Sequence, residues 1–204
     1  MKKIAYLIIG AMLFVGISKL HAQSSLSAAF AKSYEYEAKQ NYNEAAKVIK
    51  EVYDKGSYES NLRLGWLYYK GGMYKESLLY YKIATELMPY SVEAKLGYVY
   101  PASALGNTNE LITQYTKILE IDPQNTTANY WMGIIHYNKK EYALAFKYFE
   151  KIVNLYPVNY EGLLMFGWVN LRLGKTREAK ILFNKVMLLY PSDKSALEGL
   201  ELIK

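Results

Sequence analysis

Leu64-Gly65-Trp66-Leu67-Tyr68, then Gly72-Met73-Tyr74-Lys75-Glu76-Ser77, then Tyr81, Ala84 and Pro89 form the stretch on which the fold turns. Its landmarks return at a fixed spacing. Pro89, Pro123, Pro157 and Pro191 stand 34 residues apart, and so do Tyr81, Tyr115, Phe149 and Phe183. Ala84, Ile118, Ile152 and Val186 keep the same interval, as do Leu64, Tyr98, Met132 and Phe166. Gly65, Gly133 and Gly167 hold the register with Val99 as the exception, and Lys140 interrupts the series of Gly72, Gly106 and Gly174. Ser77, Leu111, Ala145 and Ala179 make a mostly small column. A fixed period of this length marks a stack of similar supersecondary units.

Each column has a physical reason. Apolar residues recur at three- and four-residue steps, the mark of amphipathic helices. Segment 58–70 reads as a first helix and 74–88 as a second, joined where Gly71-Gly72 lets the chain leave the helix through a left-handed conformation. Gly65 and Ser77 allow the two helices to approach, and Leu64, Tyr68, Tyr74 and Tyr81 fill the space around the crossing. The proline forces its predecessor out of the helical region and stops the second helix. The same logic pairs 92–104 with 108–121, 126–138 with 142–155, and 160–172 with 176–189.

These features resemble the tetratricopeptide repeat across about residues 26–204. The unit from Thr126 to Asn159 fits through Met132-Gly133, Tyr142, Ala145, Phe149 and Pro157. The resemblance implies an all-α fold: a right-handed αα-superhelical solenoid of about five helix hairpins plus a partial capping helix. The repeats are read as 26–57, 58–91, 92–125, 126–159 and 160–193, with a terminal helix over 194–204. The first keeps Tyr42, Glu44 and Ala45 but lacks the glycines and the closing proline, as suits a cap whose outer face meets water. In the third, Pro101 falls inside the first helix and predicts a kink near Tyr100.

Residues 1–22 read as processing. Lys2 and Lys3 precede an apolar run from Ile4 to Ile17, and Leu20-His21-Ala22 ends on a small residue, the order of a Sec-type signal peptide cut after Ala22. The run is short for a membrane span. Without Lys2, Lys3 and Lys19, and with no acid lost, the formal net charge of +6 drops to +3. The remaining charges are mixed in sign along the helices, which is a solvated surface and no nucleic-acid footprint. The chain is therefore expected to be exported, in the periplasm or at the outer membrane, with no membrane insertion after cleavage.

Chemistry-bearing patterns are sparse. The absence of cysteine excludes disulfides, thiolate metal sites and cysteine nucleophiles. After residue 22 one histidine remains, His136, expected to pack between helices, and a lone histidine builds no usual zinc site. Leu173-Gly174-Lys175-Thr176 imitates a phosphate-binding loop, but Val169 stands where its first glycine is needed and no strand precedes it. Glu59, Glu93 and Glu161 open three first helices, where the helix dipole favours negative charge. No catalytic residue, metal ligand or cofactor is expected, and no enzyme activity.

What the sequence does offer is an aromatic face. In the tetratricopeptide family, the resemblance implies, partner segments lie along the first helices. The matching positions here are Tyr34, Leu62, Trp66, Tyr69, Lys70, Tyr100, Tyr130, Ile134, Tyr137, Asn138, Trp168 and Arg172, with Phe30 and Leu96 beside them. An ordinary solvated helix face carries more lysine and glutamate. The lysine–asparagine clamp by which some members hold a chain end is missing, since those places carry Phe30, Tyr34, Leu62, Trp66 and Tyr130. The expected function is a scaffold or adaptor of the cell envelope that binds another protein or peptide segment. A glycan-binding module and a homo-oligomerising scaffold are the alternatives.

Overall fold

The computed structural model describes residues 24–203 of the chain; the segment read as a signal peptide lies outside them. Among the described residues there are eleven α-helices and no strand. α1 is described over 24–38. There follow α2 (Tyr42–Glu51), α3 (Tyr58–Lys70), α4 (Tyr74–Leu87), α5 (Val92–Ala104), α6 (Thr108–Ile121), α7 (Thr126–Asn138), α8 (Tyr142–Leu155), α9 (Tyr160–Arg172), α10 (Thr176–Leu189) and α11 (Lys194–Glu201). The fold is thus an all-α helical repeat.

The helices start and stop where side chains deal with their free backbone groups. Ser57, Ser91, Asn125, Asn159 and Asp193 each cap a helix by accepting from the amide three residues on, which satisfies an otherwise orphan donor. They too stand 34 apart. The hairpin turns need a residue at positive φ, and Gly72, Gly106 and Gly174 supply it. Lys140, which breaks the glycine series, keeps the same conformation at φ 61°, and Gln40 does so at φ 59°, each against a steric cost of roughly 1–2 kcal/mol. Pro101 is carried inside α5, which runs unbroken from Val92 to Ala104 around the expected kink position.

The chain divides into two compact units between Asn107 and Thr108. The division falls in the third repeat, where Val99 and Leu111 replace small residues and Pro101 removes a helical donor.

Unit 1 holds α1–α5. Its core gathers Ala45, Ala46 and Ile49 of α2 with Leu64 and Leu67 of α3 and Tyr80 of α4, and Phe30 and Tyr36 of α1 pack against it. The close approach of α3 and α4 is explicit: the Ser77 hydroxyl donates to the Gly65 carbonyl at 2.6 Å. Tyr81 is wedged between two glycines. A Cβ at Gly65 would sit 2.8 Å from its ring, and one at Gly97 of α5 would overlap it outright.

Unit 2 holds α6–α11 and repeats the device with phenylalanine. Phe149 lies 2.6 Å from a Cβ built on Gly133, and Phe183 lies 2.7 Å from one built on Gly167 and overlaps one on Gly199. The buried Ala179, Leu182 and Val186 of α10 meet Ala196 of α11, with Leu200 and Ile203 packed alongside. α11 therefore covers the last hairpin with its apolar side.

Candidate functional site

In unit 1 a charged network fixes the aromatic face. Ser33 and Glu37 are one helical turn apart on α1 and so share a side of it. Arg63 of α3 reaches both, its Nε donating to Ser33 Oγ at 3.1 Å and its Nη1 to Glu37 Oε2 at 2.5 Å. The other carboxylate oxygen accepts from Trp66 Nε1, also at 2.5 Å. Burial alone would raise the Glu37 pKa, but the bonds from Trp66 and Arg63, with the charges of Arg63 and Lys70, hold it below its ordinary value. The Tyr34 ring lies over the guanidinium at 3.9 Å. Arg63 is only 7% exposed, and its Nη2 is buried without a hydrogen-bond partner.

Beside this network opens a cavity of about 880 Å³, walled by α1, α3 and α5 with the end of α4. Phe30, Tyr34, Leu62, Arg63, Trp66, Tyr81, Leu96 and Tyr100 line it, and Tyr58, Glu59, Met88, Val92, Glu93 and Gly97 complete the wall. The Trp66 and Tyr100 rings meet edge to face at 6.4 Å, and Tyr69 stacks on Tyr100 at 5.4 Å. Lys70 holds its ammonium 5.4 Å from the Trp66 ring. The Tyr58 hydroxyl bonds with Ser91 Oγ at 2.8 Å and donates to Glu93 Oε2 at 3.3 Å. Burial raises the pKa of Tyr58 and, further, that of Tyr81, so both stay neutral phenols at physiological pH.

The twelve residues marked on the sequence therefore divide. Tyr34, Leu62, Trp66 and Tyr100 share the unit 1 cavity, with Tyr69 and Lys70 against its rings. In unit 2 the same register mostly packs. Ile134 and Tyr137 join the Phe149 core and Tyr130 meets Phe149 edge-on at 5.9 Å. Arg172 donates to the Tyr137 hydroxyl at 3.4 Å, and Asn138 is exposed. Trp168 is a correction. It is 9% exposed, set edge-on to Phe183 at 5.3 Å, and donates through Nε1 to Ser195 Oγ of α11 at 2.9 Å. It belongs to the core and presents no ring for contact.

On the sequence alone Arg63 goes unremarked, Glu37 reads as ordinary solvated surface with Glu35, Glu44 and Glu51, and Glu59 and Glu93 answer to the helix dipole; the bonds of Glu37 to Arg63 and Trp66 correct the second of these. One signal was present: Arg63 shares its register with Gly97, Trp131 and Met165, so a charge there needs a partner. His136 packs between α7 and α8 as expected, and it also has a carboxylate neighbour. Its Nδ1 is 2.6 Å from Glu141 Oε2 across the hairpin turn, and its ring stacks on Tyr148 at 5.4 Å. Among the described residues no group of three or more histidines, cysteines or acids stands close enough to hold a metal ion, and no helix is long and apolar enough to cross a membrane.

Models of the tetratricopeptide repeat match residues 30–92, 127–157 and 161–193, more than half of the chain. No curated protein matches the sequence significantly. Solved structures are similar in fold. A tetratricopeptide repeat protein from Parabacteroides merdae aligns at TM-score 0.76 and 21% identity, over 88% of this chain and 72% of that one. MamA from Desulfovibrio magneticus aligns at 0.70 and 18%, over 83% and 97%. YrrB, described as having an unusual peptide-binding site, aligns at 0.72 and 13%, over 91% and 97%.

Proposed function

From the premise that this chain belongs to the tetratricopeptide repeat family, we propose that it is an exported, non-enzymatic adaptor of the cell envelope that holds a segment of another protein in the unit 1 cavity. Tetratricopeptide repeats are protein–protein interaction scaffolds and are generally not catalytic, so a protein or peptide partner follows from the family. The location of its site is read from one observation: a cavity of about 880 Å³ whose walls are mostly aromatic and apolar. Rings of this kind give large contact area at low entropic cost and dominate binding energetics. Tyr34 and Tyr100, 56% and 50% exposed, keep much of their surface for a partner. That YrrB is described as having a peptide-binding site supports such a use of the fold. Export rests on the pattern of residues 1–22, and the mass of the chain recovered from the producing cells tests it by showing or refuting a start at Gln23.

The cavity is tested by crosslinked capture from envelope extract. The wild-type chain is compared with Tyr34→Ala/Tyr100→Ala and with Trp131→Ala, which removes a ring of similar exposure (45%) from unit 2. A partner lost only from the first variant, with helicity by circular dichroism unchanged, supports the cavity. Equal capture by all three moves the site elsewhere. Retention on envelope polysaccharide in place of protein supports a glycan-binding module, and a concentration-dependent size of the pure chain supports a homo-oligomer.

A further inference from the structure

We infer that the occupant of the unit 1 cavity is an extended segment of another protein bearing a lysine or arginine, with a large apolar side chain three residues away along it. The inference rests on the proposed role of that cavity. Its two ends differ in charge. At one end stand Glu59 and Glu93, in the first turns of α3 and α5, both exposed. Glu59 accepts from Ser57 Oγ at 3.2 Å and Glu93 from the Tyr58 hydroxyl at 3.3 Å. The single cation on the wall, Arg63, is neutralised by Glu37. Lys95 gives its ammonium to the Pro89 and Ser91 carbonyls at the start of α5, which leaves the two carboxylates in excess of cations at this end. One amide of each helix start, that of Ser60 and that of Ala94, goes to the Ser57 or Ser91 cap, and the two carboxylates beside them repel an anion. Tyr58 between the carboxylates gives a ring face on which a cationic side chain also rests well.

The other end is aromatic, formed by Trp66, Tyr100 and Tyr34, and Lys70 stands over Trp66. A basic residue is repelled there and a large apolar one is accepted, which sets the direction of the segment. Seven residues separate Glu59 from Trp66 on α3, and Glu93 from Tyr100 on α5, about 10 Å of helix axis. A segment in the extended polyproline II form rises about 3.1 Å per residue and returns a side chain to the same face every third residue, so positions three apart span that distance on one side. Midway along the wall, Arg63 Nη2 is buried with no acceptor, a costly state for a donor. The main chain of an extended segment has free carbonyls to offer, whereas those of a helix are used internally. The exposed Tyr34 ring lies over this guanidinium, so its displacement opens the donor to an incoming carbonyl.

The test uses the full-length chain on an array of immobilised ten-residue peptides, Gly/Ser throughout except for two positions. One position is Lys, Gln or Glu, the other is Phe or Ala, and they are placed two, three or seven residues apart. The expected result is strongest retention for Lys and Phe three apart, about tenfold above the matched Glu peptide, as for other charge-assisted contacts. Glu59→Gln/Glu93→Gln should remove the preference for Lys while keeping that for Phe, and Tyr100→Ala the reverse. Retention that ignores charge but falls with Tyr100→Ala overturns the basic anchor and leaves the cavity as a segment site. A preference for Glu, or a best spacing of seven, overturns the charge assignment or the extended form. No retention of any peptide by a chain of native helicity overturns both the inference and the cavity.

Discussion

Trp66 and Trp168 stand three repeat periods apart, in the same register of the first helices α3 and α9, yet the fold uses them oppositely. Trp66 is half-buried, bonded to Glu37 and left as a cavity wall. Trp168 is closed over by α11, and its indole N–H goes to Ser195. Ser195 itself occupies the register of Glu93, which stays exposed at the cavity rim. Register decides which way a ring points. The next helix along decides whether protein or solvent meets it, so an aromatic stripe read from a period mixes core with contact surface.

The comparison predicts unequal costs. Trp168→Ala should destabilise the chain by roughly 3–5 kcal/mol, as other buried aromatic truncations do, measured by urea unfolding followed by circular dichroism. Trp66→Ala should cost less, roughly 1–3 kcal/mol, since part of its surface is already wet, while weakening segment binding. Equal losses would mean that the two rings are both structural.

A smaller effect isolates the role of α11. Gly199→Ala drives a methyl into the Phe183 ring and should cost about 1–3 kcal/mol through overpacking. In a chain whose single tryptophan is Trp168, made by Trp66→Phe and Trp131→Phe, the emission should shift to the red as α11 lifts. An unmoved spectrum would show that Trp168 is buried without its cover.

The smallest effect is one of pH. The Glu37 carboxylate is held below its ordinary 4.5. Its folded pKa is thus depressed, its contribution to stability is full above the unfolded value, and it is lost as pH falls through the folded one. In a chain keeping only Trp66 (Trp131→Phe, Trp168→Phe), emission should titrate with a midpoint below 4.5, and Glu37→Gln should abolish that step. A midpoint at or above 4.5 would disprove the arrangement. Trp168 bonds to a serine, which does not titrate.

Much of the helix order was legible because identical residue types recur: proline, glycine and a buried ring at fixed positions. The cap column of Ser57, Ser91, Asn125, Asn159 and Asp193 escaped notice because it conserves a chemistry, an acceptor on a short side chain, and no one residue. Lys140 broke a glycine series by identity while keeping its conformation. The Arg63–Glu37 pair was hidden for another reason. Tyr42 and Tyr74 begin equivalent helices only 32 residues apart, so α1 falls out of phase with the later repeats and its inward residues do not align with theirs. Trp168 was misjudged because the expected helix over 194–204 does not announce in its pattern which ring it closes over; Ser195 and the indole meet only once the chain is folded.

The wedge of Tyr81 between Gly65 and Gly97 has a consequence for how such a chain is inherited. The ring belongs to one repeat and its two glycines to that repeat and the next, so key and lock are encoded on either side of Pro89. Duplicating or deleting a segment cut at the prolines would bring a ring against a helix that lacks its glycine. A copy cut instead within the hairpin turns, from α4 through α5, keeps the Tyr81 ring with Gly97 beyond it. The pair that must travel together, Tyr81 and Gly97, is therefore out of frame with the repeat the sequence displays.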